Sequence, residues 1–109
     1  MTTWNTQNID GFREELSKWN GCNAVISSVR GISHPELNIA LYRDRLGSSL
    51  QVICVHPTYH RGPIEWLNAH VEIVELRADD FIQDVQEYSI IDRGADVEVR
   101  CLTLEARGL

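Results

Sequence analysis

The stretch IDGFREELSKWNGCNAVISSVR, residues 9–30, decides the fold because its apolar residues change their spacing partway along. The apolar residues before Gly21 fall on one helical face: Ile9, Phe12, Leu16 and Trp19. Asn20-Gly21 is a natural end for that helix. In the following CNAVISSVR, β-branched residues dominate and successive side chains alternate between two faces, as in a strand. The sequence therefore predicts a helix from about Ile9 to Trp19 and a sheet after it.

Most of the remaining chain alternates in the same way and predicts further strands. Residues 50–56, LQVICVH, are apolar on both faces, so we expect this strand to lie centrally with both faces covered. Residues 67–76 are predicted to form one strand with four inward residues: Leu67, Ala69, Val71 and Ile73. Residues 79–88 fit either a short helix or the start of a strand. The segments YSIID and VEVRCLTL, on either side of residues 93–96, predict a hairpin.

Short connections join these segments, and turns this short favour antiparallel neighbours. We therefore predict an α+β fold in which the N-terminal helix packs on a mostly antiparallel sheet of about six strands. Such a sheet can curl into a sandwich or a partial barrel. Residues 1–109 are expected to form a single domain, because the length is near the commonest domain size and apolar residues recur throughout.

Composition and cysteine usage indicate a cytoplasmic protein. The N-terminus MTTWNTQNIDGF has neither the basic region nor the apolar stretch of a signal peptide, and no window is apolar for the length of a membrane span. The cysteines Cys22, Cys54 and Cys101 form no CxxC pair, and each lies in an apolar run. We expect them to be buried thiols rather than disulfides or zinc ligands. No cofactor is predicted, since the sequence has no P-loop, GxGxxG, GxSxG or HExxH motif.

Charge is distributed unevenly along the chain. Residues 65–98 contain ten acidic residues and two arginines, and the whole chain has a net charge of −6. A nucleic-acid-binding protein usually carries a basic stripe, so no nucleic-acid partner is expected. The acidic segment is either a solvated surface or a docking face for a basic protein partner.

The run VHPTYHRGPIEW, residues 55–66, is predicted to be a loop and holds the candidate ligand-binding residues: His56, Tyr59, His60, Arg61 and Trp66. No metal site is predicted, because nothing in the spacing selects a third ligand beside the two histidines. His60 with Glu65 is a candidate acid–base pair. Cys54 is a poorer candidate nucleophile, because burial in the most apolar strand disfavours its thiolate.

Some of these residue types also suit protein binding. Tyr59, Arg61 and Trp66 are of the types enriched at protein–protein hot spots. Together with Arg43 and Arg45 they could form a positively charged patch opposite the acidic half.

These observations lead to hypotheses of different classes. We expect a non-enzymatic interaction module, immunity- or adaptor-like, that binds a basic protein partner through an acidic surface. The alternative is a small-ligand-binding or acid–base enzyme domain with a pocket at the His56–Trp66 loop. A homodimer formed through an exposed sheet edge, or through Trp4 and Trp19, is a further hypothesis.

Overall fold

A computed structural model describes residues 3–30, 35–43, 47–77 and 86–108. These residues form one α-helix and eight strands, in this order: β1 (Thr3–Asn5), α1 (Ile9–Ser17), β2 (Cys22–Arg30), β3 (Pro35–Tyr42), β4 (Ser49–Arg61), β5 (Glu65–Ala69), β6 (Glu72–Arg77), β7 (Gln86–Asp92) and β8 (Val97–Gly108). Every strand pairing is antiparallel. The predicted α+β fold is confirmed, with two strands more than the expected six among the described residues.

The order of the strands explains why the sheet curls. Across the sheet the strands run β5-β2-β3-β4-β8-β7-β6, and β1 pairs with the far end of β8. The two outermost strands, β5 and β6, follow each other in the chain, from Ala69 to Glu72. Three residues span at most about 11 Å, whereas the edges of a flat sheet of seven strands would lie about 29 Å apart. The sheet therefore curls into a half-barrel.

Helix α1 packs on this half-barrel. Phe12 and Leu16 are buried in the same core as the inward side chains of the strands, and the guanidinium of Arg13 donates a hydrogen bond to the carbonyl oxygen of Ile73 on β6 at 3.4 Å. The helix ends at Ser17, slightly before the predicted end, and Gly21 takes a φ of +87° where the chain turns into β2. Within the described part of the chain, no helix is long and apolar enough to cross a membrane.

The segment 67–76 was predicted incorrectly as one strand. It contains the end of β5 and most of β6, which lie at opposite edges of the sheet. Asn68 takes a φ of +54°, and β5 has one residue more than β2 between their paired positions. Such a bulge shifts the alternation by one residue. Trp66 and Ala69 are therefore buried, and Leu67, predicted to face inward, is 75% exposed.

Strand β4 lies centrally, between β3 and β8, as predicted. Its outer face is less buried than predicted, however: Ile53 and Val55 are half-buried, whereas Val52 and Cys54 on the inner face are fully buried. The hairpin of β7 and β8 is confirmed, with a turn at residues 93–96. Residues 86–88 of the ambiguous segment belong to β7, and residues 79–85 lie outside the described residues.

A bend across β4 and β8 divides the outer face of the sheet. His56 takes a φ of +53°, and β4 then has one extra residue between Pro57 and Tyr59 relative to β8. The buried residues of β8 change phase at the same level, between Cys101 and Leu104. Bulges bend strands and tolerate proline, which has no N–H for the ladder. The prediction of a loop over residues 55–66 was wrong, because β4 continues to Arg61 and β5 begins at Glu65; the connection between them is residues 62–64.

Candidate functional site

Beyond the bend, the outer face of the sheet carries a network of charged side chains. This surface, the charged half, is the outer face of residues 57–61, 72–77, 86–92 and 97–101. The register places Tyr59 opposite Arg100 and Arg61 opposite Glu98, and it places Ser89 on the other side of Arg100. Two predicted site residues, Tyr59 and Arg61, are therefore brought together on this face.

The carboxylate of Glu98 lies at the centre of the network. Its Oε2 accepts hydrogen bonds from Arg100 Nε at 2.8 Å and from Ser89 Oγ at 3.0 Å, and the Arg61 guanidinium lies 3.9 Å from its Oε1. The hydrogen bond from Arg100 lowers the pKa of Glu98 despite the opposing effect of burial. The Glu98 side chain is only 13% exposed, whereas its partners Arg61 and Arg100 are 51% and 43% exposed, so these contacts are partly shielded from water.

Arg100 is held from two sides. Its guanidinium carbon lies 4.9 Å from the centroid of the Tyr59 ring, and its Nε donates to Glu98. A cation above an aromatic face is attracted by the ring's electron density. The ring of Tyr59 is thereby kept against the sheet while the residue as a whole stays 41% exposed.

The outer ion pairs of the charged half are more open. Arg61 lies 3.1 Å from Asp96, and Arg93 lies 3.7 Å from Glu72. The Asp96 side chain is 80% exposed, and both members of the second pair are more than half exposed. Pairs this exposed contribute little to stability, because water and salt screen them.

A cleft of about 380 Å³ lies among these charges. Val74, Leu76 and Ile91 supply its apolar side chains. Arg61, Arg93, Asp96 and Glu98 also line it. We call it the β6–β8 cleft. An apolar surface bordered by charged groups can bind either a side chain of a protein partner or a small ligand.

Trp66 lies apart from this face and has a structural role. Its Nε1 donates to Asp92 Oδ2 at 2.8 Å, and the same oxygen accepts from the backbone N–H of His70 at 2.9 Å. The other oxygen of Asp92 accepts from the N–H of Ala95 at 3.3 Å. Asp92 is 2% exposed; two of its three hydrogen bonds join β7 to β5 and to the residues before β6, and the third, from Ala95, lies within the β7–β8 turn. Asp92 thus fastens the two edges of the half-barrel.

The two histidines do not converge with the other candidates. His60 is exposed and lies opposite Val99, on the face away from Tyr59 and Arg61, and His56 is exposed at the bend. Within the described residues, no group of three or more His, Cys, Asp or Glu side chains could hold a metal ion. Neither histidine lines the β6–β8 cleft.

The predicted positive patch is only partly described. Arg43 lies at the end of the helix, where it donates to the carbonyl oxygen of Lys18 and its guanidinium carbon is 5.8 Å from the centroid of the Trp19 ring. A cation at a helix C-terminus meets unsatisfied carbonyls there. Arg45 lies outside the described residues.

The cysteines are buried free thiols, as predicted. The neighbouring Cys101 thiol and burial raise the pKa of Cys54 well above its usual value. Burial also raises the pKa of Cys22. Since the thiolate is the nucleophilic form, a neutral Cys54 is poorly suited to attack a substrate at neutral pH.

The acidic segment contributes less surface charge than its composition indicates. Asp92 is buried and Glu98 nearly so, and both are occupied by internal hydrogen bonds. Asp79, Asp80 and Asp84 lie outside the described residues. The remaining acids lie at the surface or are half-buried: Glu65, Glu72, Glu75, Glu87 and Asp96.

On the other side of the bend, the outer face is uncharged over two cross-strand rows. One row pairs Val25, Ala40 and Gln51, and the next pairs Ser27, Asn38 and Ile53. We call these six residues the uncharged patch. At the β8 rim the rows continue onto Arg107 and Glu105, respectively, so a cation and an anion lie side by side there. At the other rim, the first row continues from Val25 onto the exposed Glu65 of β5.

Sequence reasoning missed four residues of these arrangements: Ser89, Asp92, Glu98 and Arg100. The alternation along β8 places Glu98 and Arg100 on its outer face. Their partners depend on which strands are neighbours, which alternation does not encode. Comparison of the chain with protein-family models, with curated protein sequences and with solved structures gives no match.

Proposed function

We propose that the protein is a non-enzymatic interaction module, immunity- or adaptor-like, that binds a basic protein partner through the charged half of its sheet. The observation that carries this proposal is the β6–β8 cleft, where apolar side chains lie among charged groups on an open sheet face. The net charge of −6 favours encounter with a basic partner.

The exposed ion pairs allow a partner to bind without a large penalty. Asp96 and Glu72 are each held by one exposed arginine. Since such pairs contribute about 0–1 kcal/mol, an arginine or lysine of the partner can replace Arg61 or Arg93 at little cost. A cation of the partner cannot replace Arg100 on Glu98 in this way, because Arg100 and Ser89 hold the Glu98 carboxylate in a nearly buried position.

The apolar side chains of the cleft supply the second part of the affinity. Val74 and Ile91 are half-buried in the unbound protein. Covering them with an apolar side chain of the partner removes their surface from water, at about 25 cal/mol per Å² of apolar area. We therefore expect a partner segment in which a basic residue adjoins an aliphatic or aromatic one.

Charge reversal tests the proposal. The double variant Glu72→Lys/Asp96→Lys should lose a partner that the parent protein captures from cells of its source, as measured by quantitative mass spectrometry. The matched control is Asp10→Lys/Glu14→Lys, which makes the same charge change on the exposed face of α1. The control should retain the partner, and capture should weaken as salt is raised. Equal recovery by all three proteins would overturn the proposal.

A small anionic ligand is the second candidate, in line with the alternative of a ligand-binding pocket. Arg61, one of the predicted ligand-binding residues, lines the cleft together with Arg93. The cleft volume also lies within the range of about 300–1,000 Å³ found for ligand sites.

Thermal denaturation distinguishes this candidate. If the cleft binds a small anion, a panel of phosphates and carboxylates should contain a compound that raises the Tm of the parent. Arg61→Gln should abolish that rise, and Arg13→Gln, on the helix, should not. A panel without effect on the parent would remove the ligand-binding candidate.

A further inference from the structure

We propose that a second copy of this chain docks on the uncharged patch, so that the protein forms a twofold homodimer by face-to-face packing of two sheets. This surface lies on the opposite side of the bend from the proposed partner site. The two proposals therefore stand or fall separately.

The lack of charge in the patch favours a second copy of this chain as the molecule that binds there. Two chains of net charge −6 repel each other, and a twofold contact places the same surface of each copy against the other. An uncharged contact surface avoids bringing like charges together. Depletion of charge is also what distinguishes the core of a protein interface from the rest of a surface. Three of the six patch residues are apolar and half-buried: Val25, Ala40 and Ile53.

The rim of the patch is complementary to itself. Glu105 continues the row of Ile53, and Arg107 continues the row of Gln51. Consider a twofold axis that is parallel to the sheet, perpendicular to the strands and midway between the two rows. This axis places the first row of each copy against the second row of the other. Glu105 of each copy then faces Arg107 of the other, and the interface contains two ion pairs, each between a carboxylate and a guanidinium.

The size of the patch predicts a weak dimer. Strand spacing and residue rise give the patch and its rim an area of roughly 300–400 Å². A standard interface buries about 800 Å² on each partner. Dissociation is therefore expected in the micromolar range or above, and Leu67, 75% exposed on β5, adds apolar surface near the patch.

Sedimentation velocity from micromolar to near-millimolar protein concentration tests the proposal. The parent should shift from monomer towards dimer. Ser27→Lys adds a cation at an exposed position of the patch and should raise the dimer dissociation constant at least tenfold. Thr58→Lys makes the same charge change on the exposed part of β4 beyond the bend. If net charge alone governed association, both variants would associate more readily than the parent, because both lower the negative charge. A monomeric parent at all concentrations would overturn the proposal, and so would equal behaviour of the two variants.

The rim pair allows a second test that keeps the protein folded. Glu105→Lys places two cations together across the interface and should weaken the dimer severalfold, and Arg107→Glu should do the same with two anions. The double variant Glu105→Lys/Arg107→Glu restores opposite charges and should recover the parent dissociation constant. If the double variant dimerises no better than the single variants, the placement of the axis between the two rows is wrong. Capture of the basic partner, lost in Glu72→Lys/Asp96→Lys, should be unaffected in all three rim variants.

Discussion

The charged half and the uncharged patch belong to one continuous sheet, yet they differ in how their outward side chains are held. In the charged half, Arg61, Arg100 and Ser89 all contact Glu98, and the cleft lies beside them. In the uncharged patch, the described residues show one side-chain hydrogen bond, from Gln51 Nε2 to Ser49 Oγ at 3.4 Å, and the buried side-chain oxygen of Asn38 has no hydrogen-bond partner among them. The bend at His56 separates the two.

This difference shows how one small sheet can offer two surfaces of different chemistry. The bulge on β4 changes which side chains face outward, so residues before and after it contribute to separate surfaces. The charged half also relies on the inner face, where Asp92 fastens the edges of the half-barrel. The uncharged patch lies on central strands and needs no such fastening. Substitutions should therefore affect the two regions by different amounts.

The largest effect is expected from Asp92→Ala. This change leaves the buried Trp66 Nε1–H and the partly buried His70 N–H without their acceptor. The free energy of unfolding should fall by roughly 2–4 kcal/mol. Urea denaturation measures the change. Glu72→Ala, which removes an exposed ion pair with Arg93 on the neighbouring strand β6, is the control and should cost less than about 0.5 kcal/mol. Similar losses in both variants would show that Asp92 does not fasten the sheet edges.

The next largest loss of stability is expected at Gly62, in the connection after β4, where the chain packs against the β7–β8 turn. Gly62 has a φ of +103°, and a Cβ there would lie 2.5 Å from the carbonyl oxygen of Asp96. Gly62→Ala should lower the free energy of unfolding by about 2 kcal/mol, from backbone strain and this clash. Gly11→Ala, on the open side of α1 with nothing within 4 Å of the added Cβ, should instead raise it by about 0.5–1 kcal/mol. A neutral Gly62→Ala would indicate that the connection does not pack against the turn.

Replacing the central carboxylate of the charged half should have a smaller and pH-dependent effect. Because its pKa is lowered in the folded protein, Glu98 stabilises the fold above its unfolded pKa, and this contribution is lost as the pH falls through the folded pKa. Glu98→Gln should therefore be less stable than the parent at pH 7, by about 1–2 kcal/mol. The gap should narrow on acidification in chemical denaturation series. A gap that is constant with pH would contradict the role of the ionised carboxylate.

The smallest effect is expected in the uncharged patch, and it has the opposite sign. Asn38→Val removes the unpaired oxygen and places a β-branched residue on a central strand, so stability should rise by up to about 1 kcal/mol. Thermal denaturation at low protein concentration, where the monomer prevails, measures the gain. Asn23→Val, also outward and half-buried on β2, is the control and should give a smaller gain. A loss of stability at residue 38 would mean that the asparagine has a favourable contact.

Local spacing was sufficient to predict the fold class. The helical stripe of Phe12 and Leu16 and the alternation after Asn20 predicted both the helix and the sheet, and these are confirmed. The confirmed hairpin of β7 and β8 depends on a short turn, which is also a local feature.

The spacing of apolar residues gave wrong predictions where a residue takes a positive φ. Asn68 and His56 each do so in a segment that looks regular, and each changes which side chains face inward. Leu67, next to Asn68, is exposed as a result. At His56, strand β4 continues through residues that were expected to form a loop. Asn and His are enriched at positive φ, but most of them adopt negative φ, so residue type alone does not locate the irregularity.

The candidate site was predicted in part. Tyr59 and Arg61 lie together in the charged half, whereas Trp66 is turned inward to Asp92. The difference depends on the order of strands across the sheet. That order is set by packing between segments far apart in sequence, which alternation within one segment does not report.

Methyl-resolved NMR offers the most direct test of the central claim, that the bend divides the outer face into two independent binding surfaces. The spectrum is recorded on dilution of the protein and then on addition of the captured partner. We predict that dilution shifts the methyl signals of Val25 and Ile53 and leaves those of Val74 and Ile91 unchanged. Addition of the partner should shift the signals of Val74 and Ile91 and leave those of Val25 and Ile53 unchanged. If both titrations moved the same set of signals, the two surfaces would be one, and the division at His56 would have no functional meaning.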